Sequence, residues 1–422
     1  MSKPTKDPSD VITEKEGGIG FDVDWATIEE VSDRARDEEV RRHSHSQHRH
    51  SSSSKHGNHK HHSSRSKFSK HTKKGKDYYR IHNKKKWSKK KKIFVGILLF
   101  LLALVIAIAT TIFVMRLVGK NKFLKYENMK LNLPDYCEYD YGGAIVYYKG
   151  HVYEFNKNIA TIFFMGIDNR KLKKKAKMGT AGQADALYLL TYDTRNDDIK
   201  LLCLNRDTMT DVSRFDSAGN YVDTKKTQLC LAYAFGDGQR TSAENQVQAV
   251  QRLIYNIPIY AYYGIDLSAI SILNDDMGGV TLTPNYSFLK FKKGQTTTLH
   301  DGQAEAYVRY RDVKKVDDNL RRIECQKQYI NEFAKQTVYA TMRRWSIPGK
   351  LYADSSKYTV TNVKPADITY LATDMAFDYK GMTMINTKGK YKMKKGDASA
   401  EYFLNKRDFF ETILNIYYTQ IK

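Results

Sequence analysis

A run of 23 residues without a charge, IFVGILLFLLALVIAIATTIFVM at 93–115, constrains this chain more than any other segment. As a helix it spans roughly 34 Å, enough for a bilayer core. A cleaved signal peptide fits poorly, because 92 residues precede the run, it is too long for an h-region, and no Ala-x-Ala site follows. An uncleaved transmembrane helix is therefore expected at 93–115. Seven lysines among residues 84–92 flank its N-terminal side, against a thinner scatter of Arg116, Lys120, Lys122 and Lys125 beyond it. The positive-inside rule then puts the N-terminus in the cytoplasm and the bulk of the chain outside the cell membrane, as a single-pass protein.

The segment before the helix is divided by charge. Residues 1–40 carry five Lys/Arg and twelve Asp/Glu, a net of −7, whereas residues 41–92 carry nineteen Lys/Arg and one acid, Asp77, a net of +18. Stretches such as HSHSQHRHSSSSKHGNHK bury nothing, so 1–92 is read as a disordered cytoplasmic tail, with one short amphipathic piece near Phe21–Val31. The basic block suits anionic lipid headgroups, and nothing in it resembles a DNA-binding helix-turn-helix, so no nucleic acid is expected as a partner. A cytoplasmic protein partner for the tail stays open.

Residues 116–150 read as an extracytoplasmic linker. From His151 strand-like and helix-like segments alternate, the pattern of an α/β or α+β sheet domain. IATIFFMGID (159–168) reads as a buried strand ending in an acid, and ADALYLLTYDTRNDDIKLLCLNRDT (184–208) as two apolar strands about the turn 195–198. Folding that hairpin brings Asp185 and Arg206 to one rim, where a carboxylate suited to a divalent cation lies beside a guanidinium suited to a phosphate. A surface ion pair is the competing reading of such a couple. Helices are expected over QLCLAYAFGDG (228–238), over TSAENQVQAVQRLIYN (241–256) with a cap at Thr241 or Ser242, and over LRRIECQKQYINEFAKQTVYATM (320–342). Toward the C-terminus, KPADITYLATDM reads as helix, GMTMINT as strand and AEYFLNKRDFFETILNIYY (400–418) as one closing helix, so 346–422 completes the same sheet or forms a small appendage.

Cys137, Cys203, Cys230 and Cys325 all fall after the apolar run and match no metal-binding spacing, leaving one disulfide or buried free thiols as alternatives. Ten of the twelve histidines precede the membrane segment, so His-based chemistry outside would rest on His151 or His300 alone.

Several separated blocks, in order, resemble the LytR-CpsA-Psr family of cell-envelope enzymes. They are MGIDNR (165–170), ADALYLL, LCLNRDT, LAYAFGDG, LNDDMGGV, LHDGQAEAYVRYRD and RRIECQ (321–326), and they cover roughly 155–340 within an expected catalytic domain of 151–345. The resemblance implies an α/β fold, an α-β-α sandwich with a central mixed sheet flanked by helices. It implies a phosphotransferase that moves a glycopolymer from a polyprenyl-pyrophosphate carrier to peptidoglycan through a phosphodiester. Carried across residue by residue, Asp168 and Asp185 would hold Mg²⁺, and Arg206, Arg309, Arg311 and Arg322 would bind the two phosphates, with Gln326 orienting a phosphate oxygen or Arg322. Asp185, Arg206, Arg309 and Arg311 would carry the catalysis. Arg309 and Arg311 face the same way only on an extended segment, so the block is expected to leave its helix near Tyr307. Arg321, without a family counterpart, reads as a solvated arginine, and Asp207 as an anchor for the neighbouring loop or an arginine.

The chain departs from the family pattern at Gln228-Leu229-Cys230, where a lysine is usual, and at Asn319-Leu320-Arg321-Arg322 and Cys325. The identity of the polymer and the acceptor side rest on those positions. Two other functions use the same features: an envelope-sensing transcriptional regulator without catalysis, and a pyrophosphatase that gives the lipid-linked sugar to water.

Overall fold

A computed structural model describes residues 87–422 except 127–128, 217, 313–317 and 394–399. The expected disordered tail lies, up to residue 86, outside the described residues, as does the amphipathic piece near Phe21–Val31.

The apolar run sits inside one continuous helix, α1 (Lys89–Phe123), long and apolar enough to cross a membrane. Ser88 caps its start, its side chain accepting from Lys91 N. Its last two turns pass beyond the apolar run and dock on a second helix far along the chain, α8 (Pro365–Asp378). Arg116, Gly119, Lys122 and Phe123 recur at helical spacing and so share one face. Arg116 Nε donates to Asp374 Oδ1 at 2.8 Å, and Lys122 Nζ donates to Asp367 Oδ2 at 2.5 Å and to the Asn362 carbonyl at 2.9 Å. Gly119 lets the two helices touch, since a Cβ there would collide with the Ala366 carbonyl oxygen and the Cβ of Tyr370. Residues 116–150, read from the sequence as a linker, thus contain a packed helix end. They also contain strands β1 (Glu138–Asp140) and β2 (Ile145–Tyr148), which join β3 (His151–Phe155) and the C-terminal β16 (Tyr418–Gln420) in a small sheet of order β1-β2-β3-β16.

The main sheet is built from β4 (Ile159–Ile167), β5 (Ala184–Asp193), β6 (Asp198–Leu204), β9 (Ala261–Ile265), β12 (Thr359–Thr361) and β13 (Met382–Asn386), in the order β12-β9-β4-β5-β6-β13. It is mixed: β4, β5 and β6 are antiparallel in turn, β9 runs parallel to β4, and β13 parallel to β6. The 346–422 region supplies both edges, β12 and β13. Alternation along β4 splits the core between two faces. Phe163, Met165 and Ile167 point to one layer, with the buried residues of α3 (Arg240–Leu253) and α9 (Lys406–Tyr417), while Ala160 and Ile162 point to the other, with Phe123 of α1 and Tyr370 of α8. This is the expected α-β-α sandwich.

Several local expectations differ from the structure for definable reasons. The 228–238 block is helical only as the short α2 (Leu231–Ala234), because Gly238 takes φ +80° and Gly236 lies against the Ser242 backbone. Ser242 sits inside α3 rather than capping it; Asp237 Oδ1 accepts from Gln239 N and Ser242 N instead. The expected closing helix over 400–418 is strand β15 (Ala400–Leu404) and then α9, with Asn405 as the cap between them, accepting from Asp408 N. Two hairpins were not read from the sequence: β7 (Met209–Phe215) with β8 (Tyr221–Gln228), and β14 (Gly389–Met393) with β15. All four cysteines are free thiols, which settles the alternative left open above.

Candidate active site

The β5–β6 hairpin sets the site. Leu187 pairs with Leu204 and Asp193 with Asp198, so continuing the register puts Asp185 across from Arg206 at the open end. The turn at the other end is held by Asp193, whose Oδ1 accepts from Arg195 N (2.9 Å), and Asp197 takes φ +56°. Arg206 Nη1 forms an ion pair with Asp185 Oδ1, its Nη2 donates to Gln183 Oε1 at 2.8 Å, and its Nε lies 3.4 Å from Asp207 Oδ1. Three of its donor groups are thereby oriented, which fixes a plane that a flexible lysine could not hold.

Asp168 follows β4 directly, and its N donates to the Gln183 carbonyl (2.9 Å), tying the two strand ends together. Its Oδ1 lies 3.5 Å from Arg309 Nη2. Arg309 ends α5 (Gly302–Arg309), and Glu305, one turn back, accepts from Arg309 Nη1 at 2.8 Å and pairs with Arg170 Nη2 at 3.2 Å. The helix therefore persists past the expected break at Tyr307, supported by that i,i+4 pair and by Tyr310 N donating to the Ala306 carbonyl (3.1 Å). The chain turns extended at Tyr310 (ψ 128°), and Arg311 follows outside the helix. Gln326 lies on α6 (Asp318–Arg343), where its Nε2 donates to the Val308 carbonyl at 3.0 Å. That bond joins α6 to the arginine block, so Gln326 acts on the position of Arg309 rather than by reaching into the rim. Arg321 is not a solvated arginine. Its guanidinium stacks on Phe288 (4.2 Å) and Tyr310 (5.1 Å) and its Nη2 donates to the Tyr310 carbonyl (2.7 Å), clamping the segment between Arg309 and Arg311.

The electrostatics show that these groups converge. Burial raises the Asp185 carboxyl above its usual range, opposed by Arg206, reinforced by Asp168 and again opposed by Arg322. Burial lowers Arg322, as do its neighbours Arg311, Arg206 and Arg309, while Asp185 opposes them. Four guanidiniums and two carboxylates thus share one rim, with the arginines crowding each other in the absence of an anion. Asp168 and Asp185 are 48% and 35% exposed, hard oxygen donors open to solvent. Among the described residues no group of three or more His, Cys, Asp or Glu gathers as a metal cage. A pair of carboxylates still suits Mg²⁺, which takes one or two from the protein and completes its shell with water and phosphate oxygens.

All of these residues lie within a single match: the sequence profile of the LytR_cpsA_psr family covers residues 146–415. The chain belongs to the LytR-CpsA-Psr family. Among curated relatives, the polyisoprenyl-teichoic acid–peptidoglycan teichoic acid transferase TagV of Bacillus subtilis (strain 168) is 28% identical over 194 residues, 43% of this chain and 45% of the relative. TagU of Halalkalibacterium halodurans, named for the same transfer, is 29% identical over 181 residues, 42% of this chain and 53% of the relative. The chain spans about half the length of these curated relatives. The crystal structure of B. subtilis TagV superposes with a TM-score of 0.48 at 21% identity, covering 61% of this chain and 95% of that one.

Gln183 and Glu305 were missed in the LytR-CpsA-Psr reading of the sequence. Glu305 had a signal, since it stands four residues before Arg309 on a predicted helix; Gln183 had none before the strand ends were paired.

A raised carboxyl has a measurable consequence. With its folded value above the unfolded one, ionised Asp185 costs stability at pH above the folded value, and the cost fades as pH falls toward the ordinary carboxylate value of about 4. In metal-free protein, Asp185→Asn should therefore raise the unfolding temperature at neutral pH, and the difference should vanish near pH 4. Thermal scans across pH check this; a variant less stable than wild type at pH 7 contradicts it.

Proposed function

We propose that this protein is a membrane-anchored, extracytoplasmic, Mg²⁺-dependent phosphotransferase that moves a glycopolymer from a polyprenyl-pyrophosphate carrier onto peptidoglycan. The observation that carries the reading is the convergence of Arg206, Arg309, Arg311 and Arg322 with Asp168 and Asp185 at one end of the sheet. Family membership and the names of TagV and TagU support it. The flanking charges of α1 support the orientation.

In this reading the acceptor hydroxyl oxygen forms a bond to the sugar-side phosphorus, the bridging P–O bond breaks, and the lipid phosphate leaves with the electron pair while the hydroxyl proton passes to solvent. Such a step needs positioning and charge rather than a covalent nucleophile. Arg206 and Arg309, each braced by carboxylates, hold phosphate oxygens in fixed directions. Arg311 and Arg322 add charge where the leaving phosphate develops it, and the arginine crowding there is relieved by the anion. Asp168 and Asp185 would hold Mg²⁺, whose chemistry is to neutralise pyrophosphate oxygens. Gln326, Arg321 and Glu305 keep the arginine block in place.

The test uses the full chain in detergent with a lipid-pyrophosphate-linked glycan and a peptidoglycan acceptor. Lipid phosphate should be released, release should stop on adding a chelator, and Mg²⁺ should restore it. Undiminished release after metal removal would overturn the Mg²⁺ part; absence of release under all conditions would overturn the whole.

A further inference from the structure

The segment joining β4 to β5 carries six cations in eight residues: Arg170, Lys171, Lys173, Lys174, Lys175 and Lys177. The proposed chemistry uses none of the five lysines. A run of this kind ordinarily belongs to a solvated, self-repelling loop, yet here its backbone is pinned. Leu172 is buried, Ala176 N donates to the Asp237 carbonyl (2.9 Å), Gly179 N to the Ala234 carbonyl (2.9 Å) and Gln239 Nε2 to the Lys173 carbonyl (2.9 Å). Lys173 turns back onto the Thr180 carbonyl (2.5 Å). Lys171, Lys174, Lys175 and Lys177 stay exposed, and none of the ion pairs among the described residues involves them. The nearby Asp237 Oδ1 is occupied by Gln239 N and Ser242 N. Holding four unneutralised ammonium groups on an ordered loop costs free energy that an anion would recover.

Position selects the anion. The loop leaves directly from Asp168, and Arg170 reaches Glu305, which holds Arg309, so the lysines extend the positive rim of the candidate site outward. Membrane headgroups are the competing occupant, but α1 meets the domain at the other end of β4, where Tyr126 Oη donates to the Ile159 carbonyl (2.5 Å). From Ile159 to Ile167 the strand covers about 26 Å at ~3.3 Å per residue. We propose that the 170–177 loop docks the repeating phosphates of the glycopolymer, so that the transferred chain is a polyanion. This proposal rests on the phosphotransferase reading and adds the substrate class to it.

The test is equilibrium binding to the full chain in nonionic detergent, with synthetic oligo(glycerol phosphate), neutral dextran and soluble dihexanoyl phosphatidylglycerol as probes. Oligo(glycerol phosphate) should bind with an affinity that falls steeply as salt rises, and dextran should not bind. Replacing Lys171, Lys174, Lys175 and Lys177 together by Gln should weaken oligo(glycerol phosphate) at least tenfold at low salt and flatten the salt dependence. The milder pair Lys174→Gln and Lys175→Gln should give an intermediate loss, which guards against misfolding of the fourfold variant. Lys157→Gln with Lys406→Gln, the same charge change made elsewhere, should leave binding unchanged. Equal affinity of wild type and the fourfold variant, or a loss confined to phosphatidylglycerol, overturns the proposal. Because binding needs no turnover, a chain that turns over lipid pyrophosphate but shows no loop effect sinks only this inference. A chain that binds the polyanion through the loop without any turnover sinks the phosphotransferase reading instead.

Discussion

Asp185→Ala and Arg206→Ala should each lower turnover of a lipid-pyrophosphate glycan by about 10³-fold or more while leaving the far-ultraviolet circular dichroism spectrum unchanged. The size follows from how the two are joined. Asp185 and Arg206 stand opposite each other in the antiparallel register, and Arg206 is further held by Gln183 at 2.8 Å. Removing Asp185 takes a carboxylate from the proposed Mg²⁺ pair and frees the guanidinium to rotate out of the phosphate-binding plane. Removing Arg206 takes the charge itself, and leaves Asp185 half-buried beside Asp168 without its counter-ion. Arg206→Lys should rescue little, because an ammonium cannot engage Gln183, Asp185 and a phosphate in one plane. Initial-rate measurements of lipid phosphate release decide this; variants with activity within tenfold of wild type would contradict the assigned roles.

The second large effect is on stability. Asp367 has a side chain only 2% exposed, and its counter-ion Lys122 comes from the end of α1, 25% exposed. Asp367 Oδ2 also accepts from Lys364 N (2.8 Å), closing the start of α8. Lys122→Met removes one partner and strands a buried carboxylate, which costs about 3 kcal/mol in comparable pairs. The denaturation midpoint of the full chain in detergent should fall accordingly. Adding Asp367→Asn to that variant should recover part of the loss, because the remaining group is then neutral and still able to accept the Lys364 bond. An unchanged midpoint for Lys122→Met would mean that α1 does not dock on the domain as described.

These two predictions rest on parts of the protein that were unequally legible in the sequence. Asp185 and Arg206 could be placed together from the hairpin alone, because register follows from strand length and turn position. Asp168, Arg309, Arg311 and Arg322 are separated by up to 154 positions in the chain, and only the resemblance of ordered blocks brought them to one rim. The extent of α5 was misjudged because Arg309 and Arg311 were asked to face one way, whereas Arg309 ends the helix and Arg311 lies past the turn at Tyr310. The α1 end was read as linker because its partners, Ala366, Tyr370 and Asp374, lie some 250 residues away and leave no local mark beyond the helical spacing of 116, 119, 122 and 123. The β7–β8 hairpin escaped because YVDTKKTQ is polar and largely exposed, so it lacks the apolar alternation that reveals a half-buried strand. The charge of the 170–177 loop was plain in the sequence, but its pinning by the Asp237 and Ala234 carbonyls was not.

The central claim is that the rim joins two substrates through phosphate rather than merely hydrolysing one. Phosphorus NMR of the product formed by the full chain from a lipid-pyrophosphate glycan, with peptidoglycan present, tests it most directly. The account predicts a new phosphodiester resonance on the glycan-peptidoglycan product, with one lipid monophosphate released for each link formed. Glycan ending in a phosphomonoester, at a rate indifferent to added peptidoglycan, would contradict it.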